Sequence, residues 1–446
     1  MVAFHRFFAI PVGVLFALLP TYADDVGLAD AEHHWPQWRG PLSTGVAPHA
    51  DPPVAWGEDE NIRWKIDLPG LGHSTPIVWG ERVFLTTAVP YGDTLEPRYS
   101  GAPGAHGNLP VTHAHEFVVL CVARRDGTIL WRRTVHKELP HEAGHATASL
   151  ASASPVTDGK RLFAHFGSRG LYCLDLDGEL IWQTDLGDMQ TKHGHGEGSS
   201  PALYENTLIV NWDHEGRSFL VALDTRSGDE RWKVGRDEAT SWATPIVVDV
   251  GGERQVISSG TKRVRGYDLA TGRVIWECGG LSANVVASPV AADGMVIVAS
   301  SYELQAMMAI RLEGAKGDIT GTPQIVWKRT RRTPYVPSPL LYGGSLYFLS
   351  HYQNVLLHVD AATGKQMHSP LRLRGIRNVY ASPVGAAGRV YITDLAGTTI
   401  VISSEGAPRV LALNRLNDSF SASAAVAGRE LYLRGRRHLY CIAADE

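Results

Sequence analysis

Along most of this chain apolar residues alternate with polar ones in short runs, and the runs are separated by turns carrying Gly, Pro, Asp, Ser or Thr. A period of two is that of half-buried β-strands. A Ser/Thr-Pro phrase, or its near equivalent, opens one such run at Thr75-Pro76, Ser154-Pro155, Ser200-Pro201, Thr244-Pro245, Ser288-Pro289, Ser338-Pro339, Ser382-Pro383 and, in degenerate form, Ser423-Ala424. After the first copy the spacings are 46, 44, 44, 50, 44 and 41 residues. Repeats of about forty-five residues are the length of a four-stranded propeller blade. Each early copy also holds a Gly turn followed four residues later by Trp: Gly127 and Trp131, Gly178 and Trp182, Gly228 and Trp232, Gly272 and Trp276. The turn needs the positive φ that Gly accepts, and alternation then places the indole on one face of the outermost strand, wedged between neighbouring blades. In two late copies His368 and Val410 stand where the indole would be, so these contacts are expected to bury less apolar area.

The two ends of the chain complement one another. The last copy stops at a third strand around Leu439-Tyr440-Cys441-Ile442, whereas residues 61–68 read as a fourth strand with Trp64 in the wedge position. Pairing the two would close the ring and remove its exposed sheet edges. The expected fold is all-β: an eight-bladed β-propeller of four-stranded antiparallel blades over residues 61–446, closed by the N-terminal strand. Residues 24–60, with Trp35, Trp38 and Trp56, read as an irregular extension packed on the ring, and 88–115 as a loop insertion in the first blade.

Composition narrows the function classes. The 446 residues carry 44% hydrophobic and 20% charged side chains and a formal charge of −4, which gives no electrostatic case for nucleic acid. Residues 1–23 have the form of a signal peptide, with His5 and Arg6 before an apolar run from Phe7 to Leu19 and small residues before Asp24. The expectation is a periplasmic or secreted protein with no membrane span, and with no lipid anchor because no Cys lies near the cleavage point. Of four cysteines, Cys121, Cys173 and Cys441 share one third-strand position, too far apart around a ring to bridge, so they read as small apolar fillers.

The repeat Ser-x-Ser-Pro, then Leu-x-x-Leu-Asp-x-x-Thr-Gly-x-x-x-Trp, is clearest at residues 218–232 and 267–276. It resembles the repeat of the pyrroloquinoline-quinone (PQQ)-like β-propeller family over residues 61–446. That family includes quinone-dependent dehydrogenases and non-catalytic exported propellers such as the outer-membrane assembly factor BamB. The leading Trp35-Pro36-Gln37-Trp38-Arg39-Gly40-Pro41 is similar to that of exported PQQ-like propellers. The dehydrogenases carry adjacent cysteines beside the quinone and a calcium-ligand set, and this sequence has neither. The resemblance therefore implies a non-catalytic binding or scaffolding module for protein or peptide partners in the cell envelope, with no cofactor expected. The alternative it leaves is a PQQ- and calcium-dependent dehydrogenase of an alcohol or sugar.

Residues just before each Ser/Thr-Pro phrase face one mouth of a propeller. Here they are His73, His145, His193 with His195 and Glu197, Trp242, Asn284, Tyr335, and Arg377 with Asn378 and Tyr380. This polar and aromatic set suits a partner- or ligand-binding rim, because such side chains hydrogen-bond adaptably at low entropy cost. The densest patch is Lys192 to Glu197, and the insertion adds His106, His113 and His115. Alternation at His193 and His195 would put both imidazoles on one side, as a metal accepts. No third ligand is identifiable among nineteen histidines, so the patch reads as a hydrogen-bonding rim without an assigned metal. No catalytic group is assigned.

Overall fold

A computed structural model describes residues 31–444 together with Met1. Apart from Met1, the expected leader at 1–23 lies outside the described residues, as does the start of the 24–60 segment. Eight antiparallel sheets form the ring. Blades 1 to 7 span residues 77–138, 156–184, 202–235, 246–278, 290–329, 340–372 and 384–415. Blade 8 takes its inner three strands from 425–442 and its outermost strand from Ile62–Asp67. That strand pairs antiparallel with His438–Ile442, with Trp64 opposite Cys441 and Lys65 opposite Tyr440. The innermost strands of blades 1 to 4, and those of blades 5 to 8, touch their neighbours, and the last touches the first. The ring of eight and its seam are those expected from the sequence.

The wedges have a common geometry. The indole N–H of Trp64, Trp131, Trp182, Trp232 and Trp327 donates to a backbone carbonyl on the next blade, at Arg124, Leu176, Thr225, Leu269 and Ala361. The ring then lies on the turn glycine of that blade. At Gly178 (φ 90) and Gly228 (φ 76) a Cβ would stand 2.8 and 2.7 Å from the indole of Trp131 and Trp182, so the turn excludes side chains both by conformation and by contact. Trp327 was not among the tryptophans expected to lock, and Trp276 departs from the pattern. A two-residue strand, Gly317–Asp318, adds a fifth, parallel strand to the outer edge of blade 4 beside Trp276. The Trp276 N–H turns instead to Gln255 Oε1 of its own blade, at 3.0 Å. In blade 6, His368 stacks on His358 where another blade would place an indole on a cysteine.

The Ser/Thr-Pro phrases form a belt. The backbone N–H of each phrase donates to the hydroxyl of the next at seven of the eight junctions: Thr75 to Ser154, Ser154 to Ser200, Ser200 to Thr244, Thr244 to Ser288, Ser288 to Ser338, Ser338 to Ser382, and Ser382 to Ser423, all at 2.9–3.0 Å. The eighth junction is the seam. There Arg434, buried without a carboxylate, donates to the Ser74 carbonyl and hydroxyl.

One end of the channel is filled by residues 35–51. Trp35 exchanges backbone bonds with Val78 of blade 1, and Thr157 of blade 2 donates to the Pro36 carbonyl. Trp38 reaches Ser288 of blade 5 at 3.2 Å. Leu341 of blade 6 donates to Thr44, Ala47 to Gly385 of blade 7, and Asp51 to Gly428 of blade 8. Arg39, 2% exposed, points its guanidinium at the carbonyls of Pro339 and Pro383, both at 2.7 Å, and of Thr44 at 3.1 Å. Burial with no carboxylate partner pushes its pKa down to about 9. A void of about 240 Å³ remains between Gln37-Trp38 and blades 3 to 5.

The insertion in blade 1 is shorter than the sequence implied. Its flanking strands extend to Tyr91 and from Ala114, pairing along their whole length, so the loop proper is 92–113.

Candidate functional site

The opposite mouth is reached by two families of loops. One leads from each outermost strand to the next Ser/Thr-Pro phrase; the other joins the second and third strands of each blade. The residues that precede each Ser/Thr-Pro phrase belong to the first family. The second adds His165, Arg169, Asp213, Tyr302, His351 and Tyr352. Its sequence signal is a polar or aromatic residue just after the second strand of the repeat.

Four imidazoles gather where the insertion meets the loops before blades 2 and 3. Ring centroids lie at 4.7 Å for His106–His195, 5.0 Å for His145–His195, 5.3 Å for both His106–His193 and His193–His195, and 6.4 Å for His106–His145. The Asn108 amide pins the insertion by donating to the carbonyls of His193 and Gly194. Burial first, then crowding by His145, His106 and His193, pushes His195 down to about 4, and the same two effects lower His145. Among the described residues, no three His, Cys, Asp or Glu side chains stand arranged to hold a metal ion.

Beside this cluster a cleft of about 630 Å³ opens between blades 2 and 3. Its charged groups are already satisfied. Glu197 accepts from the Ser168 N–H (2.7 Å), the Ser168 hydroxyl (2.6 Å) and Arg169 (2.9 Å). Asp213 holds Arg236 through both oxygens, at 2.7 and 3.0 Å, and accepts from Ser241 at 2.6 Å. Glu142 accepts from Thr191. Trp242 donates its indole N–H to the Gly196 carbonyl at 2.7 Å, which fixes the ring at the cleft wall.

Across the mouth, over blades 5 to 7, runs a row of rings. Tyr302 stacks on Tyr335 at 5.8 Å, Tyr335 on His351 at 4.8 Å, and Tyr352 lies 4.5 Å from His351 and 6.0 Å from Tyr380. Burial raises the Tyr335 phenol, against the opposing effect of the nearby Asn284 amide.

The rim residues read from the sequence thus divide. His145, His193 and His195 come together, joined by His106; Glu197 and Trp242 share the cleft; Tyr335 and Tyr380 are linked through His351 and Tyr352. Asn284 is almost fully buried, with φ 58. His73 is bound through its backbone to Ala151 and Ser149, and burial reinforced by Arg434 and Arg436 lowers its pKa to about 3. Arg377 is exposed, and its backbone N–H donates to Asp394.

A calcium-bound quinone requires carboxylate and amide oxygens free to ligate a hard cation. At this mouth Glu142, Glu197 and Asp213 are each committed to internal donors. The four cysteines are buried and free, with no adjacent pair. The residues present do not fit that group.

The family described as outer membrane protein assembly factor BamB matches residues 115–369 and 216–446. Among solved structures the chain is similar to BamB from Moraxella catarrhalis, at 13% identity and a TM-score of 0.50, covering 80% of this chain and 96% of that one. It is also similar to a europium-containing methanol dehydrogenase, at 10% and 0.59, covering 91% and 90%. A third likeness is to the quinohemoprotein alcohol dehydrogenase of Comamonas testosteroni, at 8% and 0.62, covering 93% and 81%. At such identities the likeness is one of fold. No curated protein matches in sequence.

Proposed function

Because the chain belongs to the family of the outer membrane protein assembly factor BamB, we propose that it is an exported, non-catalytic propeller that binds protein or peptide partners in the cell envelope through its open mouth. The observation that carries this reading is the difference between the two ends of the channel. One is filled by residues 35–51, bonded to six of the eight blades. The other presents the ring row, the imidazoles and the cleft on loops held by a rigid scaffold, where binding residues concentrate. Stacked tyrosines offer broad contact area with few torsions to freeze, as a peptide surface needs. The commitment of Glu142, Glu197 and Asp213 to internal partners supports a mouth that binds rather than oxidises. Export rests on the sequence of residues 1–23. Among the described residues no helix is long and apolar enough to cross a membrane.

The test is titration of labelled extended peptides of alternating apolar pattern, followed by fluorescence anisotropy. Tyr335→Ala and Tyr380→Ala should each weaken binding about tenfold, the size of an aromatic anchor, with an unchanged melting temperature. Unaltered affinity in both variants would remove the ring row from the site. Dye reduction by protein reconstituted with quinone and calcium would replace the proposal with the dehydrogenase reading.

A further inference from the structure

The four-imidazole cluster has features that a hydrogen-bonding rim does not require. Its members come from three separate segments: His106 from the insertion, His145 from the loop before blade 2, and His193 and His195 from the loop before blade 3. No ion pair to a carboxylate is formed by any of the four among the described residues. The Nδ1 atoms of His106 and His193 lie 2.8 and 3.0 Å from the carbonyls of Gly104 and Pro103. A carbonyl only accepts, so in the neutral rings Nδ1 carries the proton and Nε2 keeps a free lone pair. Such a backbone partner on the distal nitrogen is the usual support of a metal-bound histidine. The Nε2 of His195 is sealed from solvent with no partner, and a buried polar atom of that kind calls for one. His193 is held at φ 58, a conformation a non-Gly residue adopts at a cost. The insertion is shaped to admit the rings, since a Cβ at Gly104 or Gly107 would stand 2.7 Å from His193 Nδ1 or 2.6 Å from His145 Nε2.

We propose that His106, His145, His193 and His195 bind a single borderline divalent transition-metal ion of the zinc class, which staples the insertion to blades 2 and 3 at the edge of the cleft. Nitrogen ligands at 2.0–2.1 Å in a tetrahedral set place neighbouring ring centroids roughly 5 Å apart; of the six pairs among the four rings, four stand at 4.7–5.3 Å and His106–His145 is wider at 6.4 Å. The donors do not converge as the rings stand. Convergence requires rotation about the Cβ–Cγ bonds, a broad torsion for histidine, and at His145 the release of Nδ1 from the Thr147 N–H that it accepts at 3.2 Å. An all-imidazole set selects zinc, copper or nickel over calcium or magnesium. The site is independent of the peptide-binding reading.

Tag-free full-length chain, stripped with chelator, is titrated with Zn²⁺ by calorimetry and with Co²⁺ by visible absorption. The expected result is one Zn²⁺ per chain at submicromolar Kd, a four-coordinate nitrogen-ligand Co²⁺ spectrum, and slower amide exchange in 92–113 with Zn²⁺. His106→Ala, on an exposed loop where folding is not at stake, and His195→Ala should each weaken binding at least a hundredfold. His141→Gln should not, since its Nε2 already bonds the Met189 carbonyl at 2.8 Å. Absence of saturable binding, or equal affinity in His106→Ala and the parent, overturns the proposal.

Discussion

Trp64 joins the two ends of the chain, and its removal tests whether the seam is a local weak point. The indole is 7% exposed, lies on the Gly127 turn and donates to the Arg124 carbonyl at 2.9 Å. Replacing a buried Trp by Ala costs about 3–5 kcal/mol, whereas Trp64→Phe keeps most of the contact and loses mainly one hydrogen bond, about 1 kcal/mol. Blades 1 to 7 have strands continuous in sequence, so opening one of their locks leaves each blade intact. At the seam the strand Ile62–Asp67 is held by its pairing with His438–Ile442, by this lock, and by Glu430, which receives Arg124 at 2.6 Å as well as Arg63. Native-state hydrogen exchange read by mass spectrometry should therefore show amides in 62–67 and 438–442 exchanging about a thousandfold faster in Trp64→Ala, and about fivefold faster in Trp64→Phe. Trp131→Ala, the same lock one junction along, should leave those amides protected. If protection at 62–67 is unchanged in Trp64→Ala, or falls equally in all blades, the ring is not sealed there.

Arg39→Met leaves the Pro339 and Pro383 carbonyls without a donor, about 1–3 kcal/mol each, but removes a cation buried without a carboxylate, which offsets most of that cost. Its urea midpoint should thus move little while chymotrypsin, which can cut after Trp38, Leu42 and Trp56 in both proteins, cuts within 31–60 much faster; an unchanged cutting rate refutes the role of Arg39 as the anchor. Ser338→Ala should cost about 1–3 kcal/mol, because it orphans the buried Ser288 N–H. Thr75→Val should be near neutral, because the Thr75 hydroxyl is already unpartnered; equal losses in both would mean the belt does not act through these bonds. His358, 4% exposed, is pushed down to about 4 by burial and by His368. Below pH 6.5 the unfolded chain takes up a proton that the folded chain refuses until about pH 4. Stability should therefore fall across that window by up to about 3 kcal/mol, at about 1.4 kcal/mol per pH unit. His358→Cys, the residue found at this position in other blades, should flatten that part of the urea-midpoint profile, and a persisting slope would assign it elsewhere.

The fold was legible because the same local chemistry recurs around the ring: a hydroxyl for the belt in all eight repeats, and a turn Gly under an indole lock at five junctions. Repetition let each weak signal confirm the others. The exceptions were illegible for the converse reason. Trp276 has the sequence of a lock, but Gly317–Asp318, forty residues on, covers its edge. Trp327 lacks the Gly spacing yet locks to Ala361. At the mouth, residues read by one rule were found, whereas Tyr302, His351, Tyr352 and Arg169 sit on the other family of loops. His106 was visible as one histidine among nineteen; only the docking of 92–113 through Asn108 puts it against His193 and His195.

The seal at one end of the channel and the closure of the ring are a single device. To supply the outermost strand of the last blade, the chain must travel from the axis to the rim before Ile62. It does so beneath blades 7 and 8, where Tyr391 donates to the Pro52 carbonyl, Asn414 to the Val54 carbonyl, and the Trp56 N–H to Asn414. The residues before that path, 35–51, lie across the channel, where they bond to six of the eight blades. Rigidity at this end follows from topology, and it leaves the opposite mouth as the place where loops can vary without opening the ring. Substitutions in 35–60 should therefore alter stability and leave partner affinity alone, while substitutions in the ring row should do the reverse. A variant at Trp35 that abolished peptide binding without lowering the melting temperature would break that division.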